Sequence, residues 1–176
     1  MAEKQDGYAL RFVTDEDAEE ILGIYTPYVT GTCVSFETEV PDLENFRERV
    51  RKISEAYPYL VCEFDGKVIG YAYASRHGER AAYKYSVNVS VYVSPEHQRQ
   101  GVGRMLYLRL FELLLKRGFY TAYAGITVPN EKSEKLHRSL GFNLVGIYHN
   151  VGYKHGKWLD VMWLEKPLRE YGTPRQ

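Results

Sequence analysis

A strand, a loop with two glycines and an amphipathic helix follow one another between residues 85 and 118, and this run constrains the fold most. In YSVNVSVYV, valines at every second position alternate with polar side chains and a tyrosine, which predicts a β-strand with one apolar face. After the loop SPEHQRQ, Gly101 and Gly103 introduce a run with leucines at helical spacing, and Gly118 ends it. The run therefore indicates a domain that combines strands with helices.

Further helices and a hairpin are predicted before this run. Residues 14–25 and 42–57 carry apolar side chains at helical spacing, and we expect Pro27 to end the first of these helices. The segment YLVCEFDGKVIGYAYAS predicts two strands joined by Asp65-Gly66, the kind of pair that a tight hairpin turn requires.

After the run, TAYAGIT predicts a strand and NEKSEKLHRSLGF a helix that Asn130 caps and Gly141 ends. Two final strands surround a turn near His155-Gly156. We thus expect one α/β (α+β) domain of about seven strands and four helices over residues 1–176, without a repeat or linker.

The charge and the apolar content exclude several kinds of partner. Lys+Arg and Asp+Glu are both 23, so a surface that coats nucleic acid is not expected. No stretch approaches the length of apolar residues that spans a membrane, so we expect a soluble, cytoplasmic protein. Cys33 and Cys62 match no metal-ligand spacing, which favours buried free thiols and no metal site.

The glycine loop has the composition of a phosphate site. The first turn of a helix offers unpaired backbone N–H groups, Gly101 and Gly103 let a ligand approach the main chain, and Arg99 and Arg104 add positive charge. The lysine of a Walker A loop and the third glycine of a dinucleotide fingerprint are missing. The alternative is a glycine turn that merely begins a helix.

The segment QRQGVG, residues 98–103, matches the Gln/Arg-x-x-Gly-x-Gly/Ala motif with which GNAT acetyltransferases bind pyrophosphate. The chain most resembles the phosphinothricin and methionine sulfoximine N-acetyltransferases of that family, from about Tyr8 to Leu168. The resemblance also rests on IYTPYVTGTCVSFE, YPYLVCEFDGKVIGYAYA, ERAAY, VSVYV, VPNEKSEKLHRSLGF and KHGKWLDV, in that order.

The resemblance implies a mixed, mostly antiparallel sheet that is splayed in the middle, with helices on both faces. It also implies acetyl-CoA as co-substrate, hydrogen-bonded like an added strand along Val91, Tyr92 and Val93. The pyrophosphate would meet the main chain of Arg99, Gln100, Gly101, Val102, Gly103 and Arg104. A small amine would then attack the thioester directly, without a metal or a cysteine nucleophile.

Asn130, Ser133 and His137 share one face of their predicted helix. By resemblance, Asn130 would contact the pantetheine amides, with Ser133 nearby; the alternative makes Asn130 a helix cap and Ser133 its partner. Many GNAT enzymes carry a tyrosine at the position of His137, where it protonates the departing thiolate. Histidine titrates near neutrality and can serve as that acid, although a half-buried structural histidine is the alternative.

Asn88 departs from the family, because relatives commonly have a glutamate here that is proposed to deprotonate the amine. An amide cannot accept that proton, although it can hold a water molecule. Neutralising an α-amino group at pH 7 costs only about 1–1.4 kcal/mol, against about 4.6 kcal/mol for a lysine side chain. The substitution thus still allows acetylation of an α-amino acid. Glu37 is our candidate for another base, and a solvated loop acid is its alternative.

The acceptor site is predicted from several segments. Arg80 suits a substrate carboxylate, with Tyr83 beside it, or is a surface arginine. By resemblance, Lys154, Trp158 and Asp160 complete the pocket near a two-fold homodimer interface. We expect an N-acetyltransferase of a small amino acid of the phosphinothricin or methionine sulfoximine type. The alternatives are a non-catalytic acyl-CoA-binding module and an acetyltransferase of protein or polyamine amines.

Overall fold

The structure is a computed structural model that describes residues 3–5 and 7–174. Its strands form one sheet of eight, in the order β1-β2-β3-β4-β5-β6-β8-β7. The strands are β1 Glu3–Gln5, β2 Tyr8–Phe12, β3 Tyr59–Phe64, β4 Lys67–Arg76, β5 Ser86–Val93, β6 Thr121–Val128, β7 Asn143–Lys154 and β8 Lys157–Pro167. The α-helices are α1 Ala18–Thr30, α2 Leu43–Ala56, α3 Val102–Lys116 and α4 Glu131–Ser139.

The mixed, mostly antiparallel sheet predicted from the sequence is confirmed. The count of about seven strands is one short, and two of the eight, β1 and β2 at the edge of the sheet, have no counterpart among the strands placed on the sequence. Both are short, and the three residues of β1 carry no alternation from which a strand can be predicted. The four α-helices are those expected from the sequence.

Strands β5 and β6 form the one parallel pair of the described sheet, and they separate after three residues. Residues 86–88 of β5 pair with residues 121–123 of β6. Beyond Asn88, β5 continues beside β4 and β6 continues beside β8. The backbone of residues 89–93 therefore has no neighbouring strand on its β6 side. A V-shaped cleft opens there, with its apex at the Asn88–Tyr123 pair.

Two apolar clusters cover the two faces of the sheet, as the alternation of β3 shows. Leu60 and Cys62 pack in the cluster around α3. Tyr59 and Val61 pack in the cluster around α1 and α2. We call the side of the sheet that carries α3 the α3 face, and the opposite side the α1–α2 face.

The predicted turns and caps are confirmed, except at Pro27. Asp65 and Gly66 have φ values of 49° and 76°, which fit a tight hairpin turn. Pro27, however, lies inside α1, which continues to Thr30, and the Gly31 N–H donates to the Pro27 carbonyl at the helix end. The prediction that Pro27 ends the helix is wrong. A proline removes only its own N–H and leaves its carbonyl free for the next turn.

Within the described residues, no helix is both long enough and apolar enough to cross a membrane.

Candidate active site

The first turn of α3 lies at the open end of the cleft. Gly101 is the residue before the helix and has a φ of 83°, a left-handed conformation that glycine adopts without strain. A side chain at Gly101 would project into open space. The first N–H bonded back into the helix is that of Met105, to the Gly101 carbonyl. The N–H groups of Val102, Gly103 and Arg104 are therefore free to bind a ligand.

Gly103 serves a different purpose, because it brings α3 close to its neighbours. A Cβ atom there would lie 3.3 Å from the Leu136 side chain of α4 and 3.8 Å from those of Val91 and Val93. The helix start, α4 and the free side of β5 thus converge at one place. This convergence is the arrangement that a phosphate-binding loop above an open strand requires.

The polar side chains of the loop hold its shape. Gln100 donates to the Glu96 carbonyl at 3.2 Å and accepts from the Tyr8 hydroxyl at 3.1 Å. Arg99 is exposed, with a φ of 63°. Arg104 is exposed as well, and its guanidinium lies 3.4 Å from the Ser139 carbonyl. Both arginines remain accessible to an anion.

Tyr92 and Tyr28 lie on the other side of the cleft. The Tyr28 hydroxyl donates to the Val93 carbonyl at 2.6 Å, and its ring meets that of Tyr92 edge-on at 5.1 Å. Val91 and Val93 pack on the α3 face and Tyr92 on the α1–α2 face. The predicted strand-like segment is thus held rigidly, with its free edge turned to the cleft.

Asn130 lines a groove of about 490 Å³ between the end of β6, the segment 31–34 and the β7–β8 turn. Its side chain accepts from the Ser133 N–H at 3.2 Å, so it is the cap of α4. The alternative in which Asn130 is the helix cap and Ser133 its partner is therefore confirmed. Contact between Asn130 and pantetheine stays a prediction, which its place in the groove allows.

His137 is 3% exposed and is held on both ring nitrogens. Nδ1 donates to the Ser133 carbonyl at 2.8 Å, and Nε2 lies 3.0 Å from the Tyr107 hydroxyl, which donates to it. Burial lowers the pKa of His137 below its ordinary value, which favours the neutral ring. The acid role of His137 stays a prediction that this geometry does not support, because no ring proton points into the cleft.

Asn88, at the apex of the cleft, is bonded to a histidine that the sequence analysis does not single out. His77 Nδ1 lies 2.8 Å from Asn88 Oδ1. The Asn88 amide donates to the Arg76 carbonyl at 3.3 Å, which orients its oxygen toward the ring. The His77 ring stacks on Tyr123 with centroids 4.1 Å apart. The pairing of β4 with β5 is the signal that would have identified His77. Ser75 lies opposite Asn88, so His77, two residues later, follows on the same face of the sheet.

Glu37 and Arg49 form an ion pair of 2.7 Å on the α1–α2 face. The other carboxylate oxygen of Glu37 is buried and has no hydrogen-bond partner among the described residues. Arg49 also lines a cavity with aromatic walls, which include Tyr25, Tyr59 and Tyr73. The structure thus gives Glu37 a cationic partner and an aromatic neighbourhood. No hydrogen bond joins it to Asn88 in the described part of the chain.

Arg80 and Tyr83 lie in the connection between β4 and β5. Arg80 is exposed, at the start of a short 3₁₀ helix, Ala81–Tyr85. The Tyr83 ring packs on Gly78 and meets His77 edge-on at 5.7 Å. The structure therefore brings Tyr83 directly to the His77–Asn88 pair, and Arg80 to the same loop.

Lys154, Trp158 and Asp160 are separated by the β7–β8 hairpin. Lys154 is 4% exposed and donates to the Ser35 carbonyl at 2.7 Å. Trp158 is 63% exposed. Asp160 accepts from the Asn150 N–H at 2.8 Å and lies 2.9 Å from His149 Nδ1. The Asn150 N–H, more than His149, lowers the pKa of Asp160. Only Lys154 contacts the segment that contains Glu37.

Both cysteines are free, as expected, but Cys33 is only half-buried, so the expectation of a buried thiol is wrong for it. Cys62 is buried, which raises the pKa of its thiol to about 11 and makes it a poor nucleophile. Across residues 3–5 and 7–174, no group of three His, Cys, Asp or Glu side chains could hold a metal ion.

Comparison with known proteins agrees with this geometry. Residues 10–163 match the family described as acetyltransferase (GNAT) domain. A phosphinothricin N-acetyltransferase of Streptomyces viridochromogenes is 34% identical over 175 residues, which cover 99% of this chain and 96% of that protein. An L-methionine sulfoximine/L-methionine sulfone acetyltransferase of Salmonella typhimurium is 35% identical over 167 residues, 94% of this chain and 97% of that protein.

Among solved structures, a phosphinothricin acetyltransferase from Sinorhizobium meliloti in complex with acetyl-CoA is 35% identical to this chain. It superposes with a TM-score of 0.92 over 97% of this chain and 94% of that one.

Proposed function

The chain belongs to the GNAT acetyltransferase family, and we propose that it acetylates the α-amino group of a small amino acid of the phosphinothricin or methionine sulfoximine type. As a member of the family it is an acetyl-CoA-dependent N-acetyltransferase, with acetyl-CoA as co-substrate. The substrate class rests on relatives of those names that match nearly the full length of the chain.

One observation supports the reaction most directly: the cleft between β5 and β6 runs from the free amides of α3 to Asn88. We assign the diphosphate of acetyl-CoA to the main chain of residues 99–104, with Arg99 and Arg104 as cationic partners. The pantetheine arm then follows the unpaired edge of residues 91–93, beside Asn130. The thioester is thereby delivered next to the apex of the cleft.

The reaction proceeds by direct transfer. The neutral amine attacks the thioester carbonyl carbon, a C–N bond forms, and the C–S bond breaks with its electron pair on sulfur. A main-chain N–H of residues 91–93 stabilises the developing oxyanion. The cost of neutralising an α-amine at pH 7, about 1–1.4 kcal/mol, is within reach of a weak base. The cost for a lysine side chain, about 4.6 kcal/mol, favours amino acids as acceptors.

We propose an acceptor subsite built on five side chains. Arg80 supplies a cation for the substrate carboxylate, and Tyr83 forms a wall next to Asn88. Lys154 fixes the segment that carries Glu37. Trp158 and Asp160 lie farther along the β7–β8 hairpin. We propose that they help to hold the site together and do not contact the amine directly.

A thiol-release assay with acetyl-CoA and a panel of amines tests the function. The panel holds phosphinothricin, methionine sulfoximine, methionine sulfone, polyamines and a lysine peptide. We expect turnover with the amino acids and little with the others. Turnover confined to the peptide or polyamines would move the proposal to those substrates. Tight binding of CoA without turnover of any amine would indicate a binding module.

We also propose a cytoplasmic homodimer that pairs through β7. This strand is at the edge of the sheet and exposes several large apolar side chains. They are Leu144, Val145, Ile147, Tyr148, Val151 and Tyr153. An exposed apolar edge strand is a template for pairing with another chain. Light scattering should give twice the chain mass of 20.4 kDa, and Val145→Lys should reduce it to one chain. A monomeric wild type would contradict the dimer, and cell fractionation tests the location.

A further inference from the structure

The aromatic group around His77 differs from ordinary core packing, because it surrounds a histidine at the apex of the cleft. Tyr123 stacks on the ring at 4.1 Å, and Tyr83 and Trp163 meet it edge-on at 5.7 and 6.4 Å. Trp163 lies over Gly125, 3.4 Å from the position of a Cβ atom. Its indole Nε1 is buried and has no hydrogen-bond partner among the described residues. A polar atom of a bound ligand could satisfy this donor.

All of these side chains are on the α1–α2 face of the sheet. Val87, Val89, Ala122 and Ala124 pack on the α3 face, so Asn88 and Tyr123, which alternate with them, point the other way. Acetyl-CoA approaches from the α3 face through the cleft. With acetyl-CoA in that proposed position, the α1–α2 face, where His77 lies, is left for the acceptor amine.

The bond between His77 and Asn88 fixes the proton on one ring nitrogen. An amide oxygen can only accept, so Nδ1 carries the hydrogen and donates it to Asn88 Oδ1 across 2.8 Å. The amide of Asn88 is itself oriented by the Arg76 carbonyl at 3.3 Å. In the neutral ring Nε2 then has a free lone pair. A histidine held this way by an asparagine can accept a proton on Nε2.

We propose that His77 is the general base of the acetyl transfer and that Asn88 is its positioning residue, an inference that rests on the proposed function. His77 Nε2 takes a proton from the substrate ammonium, and the neutral amine attacks the thioester carbonyl carbon. The C–N bond forms, the C–S bond breaks, and the sulfur of CoA leaves with the electron pair. As the intermediate collapses, the nitrogen loses its second proton, which the departing thiolate of CoA takes up to give the thiol. His77 returns the first proton to solvent after the transfer.

The spacing along β5 fits this role. A strand rises about 3.3 Å per residue, so residue 91 is roughly 10 Å from Asn88. That length has room for the thioester carbonyl, the attacking nitrogen and the imidazole in a row, each about 3 Å from the next. An imidazole at this place can do the work of a carboxylate base, because histidine is the most frequent general base in enzymes.

Several ionisable groups face His77. Arg76 and Glu79, which pair at 3.1 Å, lie on its own loop. Tyr83 packs from the 3₁₀ helix, and Tyr123 from β6 interacts in turn with Glu165 of β8. Burial raises the pKa of Tyr123, so it stays neutral through the range of histidine titration. The acidic limb of the rate profile is therefore assigned to His77 itself.

Three variants of the full chain test the proposal by thiol release with acetyl-CoA and the best amino acid of the panel. His77→Ala should lower kcat at pH 7 by about 100-fold. The acidic limb of the pH–rate profile should lose its dependence on His77, and kcat should then rise with pH through the range of the free amine, about 7.7–8.0. Added imidazole should restore part of the rate. His77→Phe keeps a ring on Tyr123 but accepts no proton, and should lose as much activity without rescue.

Asn88→Asp separates positioning from packing. A carboxylate facing Nδ1 stabilises the imidazolium, so the limb should move to higher pH by about one unit. Glu37→Gln is the control for the competing base, and it should leave the position of the limb unchanged. Affinity for CoA should stay within about threefold of wild type in every variant, which confirms that each one folds.

Retention of the limb and of kcat in both His77 variants would overturn the proposal. So would loss of the limb in Glu37→Gln. A wild type that turns over no amine contradicts the proposed function instead, and calorimetry with CoA then separates a binding module from a protein that does not bind CoA.

Discussion

The two faces of the cleft are built from different kinds of chemistry. On the α3 face, the available groups are main-chain amides at the start of one helix, and two glycines one residue apart, Gly101 and Gly103, position them. On the α1–α2 face, the ligand groups are side chains from β4, β5, β6 and β8, held by rings and one amide. Under the proposed function, the first face binds the diphosphate of acetyl-CoA and the second determines which amine reacts.

The difference teaches where substitutions are tolerated. A backbone site depends on conformation, so it fails when a glycine is replaced, whatever the new side chain's polarity. A side-chain site can exchange its chemistry as long as the geometry is kept. We propose that Asn88 with His77 beside it, in place of the glutamate expected from the family resemblance, is such an exchange.

Among the variants that test the difference between the two faces, we expect the largest effect from a substitution at Gly101. Gly101→Val places a β-branched residue at a φ of 83° and fills the open space above the loop. We expect the KM for acetyl-CoA to rise by about 100-fold, which corresponds to about 2.7 kcal/mol, with a small change in kcat.

Gly118→Val is the matched control, since Gly118 follows the other end of α3 with a φ of 87° and equally open surroundings. It should lower the melting temperature but keep the affinity for CoA. Equal loss of affinity in the two variants would show that the effect of Gly101 is general strain in α3.

A smaller effect on the amine side is expected at Lys154. Lys154→Met keeps the length of the side chain but removes the bond to the Ser35 carbonyl, which anchors the segment that carries Glu37. The KM for the amine should rise about tenfold, as expected for one lost charged hydrogen bond. Acetyl-CoA affinity should not change. Lys67→Met, at an exposed lysine, is the control. A parallel loss of CoA affinity in Lys154→Met would contradict the view that the two faces bind different substrates.

The smallest effect on turnover is expected at His137. Its ring is enclosed by Tyr107, Phe142 and the Ser133 carbonyl, so His137→Asn should lower the melting temperature by several degrees. At a temperature where the variant is folded, kcat should stay within about threefold of wild type. A fall of 100-fold in kcat with an unchanged melting temperature would restore the acid role expected from the sequence.

The pH dependence of stability gives a second test of His137. Burial lowers the pKa of His137 in the folded state, so the unfolded chain binds more protons as the pH falls below about 6.5. Protonation thus favours unfolding, and the wild type should lose stability as the pH falls below that value. His137→Asn should remove this part of the pH dependence, and an equal slope in both proteins would contradict the assignment.

The parts of the molecule that the sequence predicts are those encoded by neighbouring residues. The alternation of β5, the glycine loop and the caps at Asn130 and Gly141 are local, and each lies where expected. The amide-lined start of α3 follows from two glycines alone. Pro27 is the local signal that misled, because a helix tolerates the loss of one N–H when its other bonds remain.

The parts that the sequence could not give depend on strand register and burial. His77 and Asn88 are eleven residues apart along the chain, and only the pairing of Ser75 with Asn88 brings them together. His137 has the right position in its motif, but the depth of its burial depends on Tyr107, thirty residues earlier. Asp160 accepts a hydrogen bond from the Asn150 N–H, which lies where the register of β7 shifts. No pattern in the sequence predicts this shift.

A crystal structure with acetyl-CoA and a bound amino acid tests the central claim most directly. The account predicts diphosphate oxygens within hydrogen-bonding distance of the amides of Val102, Gly103 and Arg104. It also predicts the amine nitrogen between His77 Nε2 and the thioester carbon, on the α1–α2 face. Coenzyme A bound away from the start of α3, or an amine held on the α3 face out of reach of His77, would contradict it.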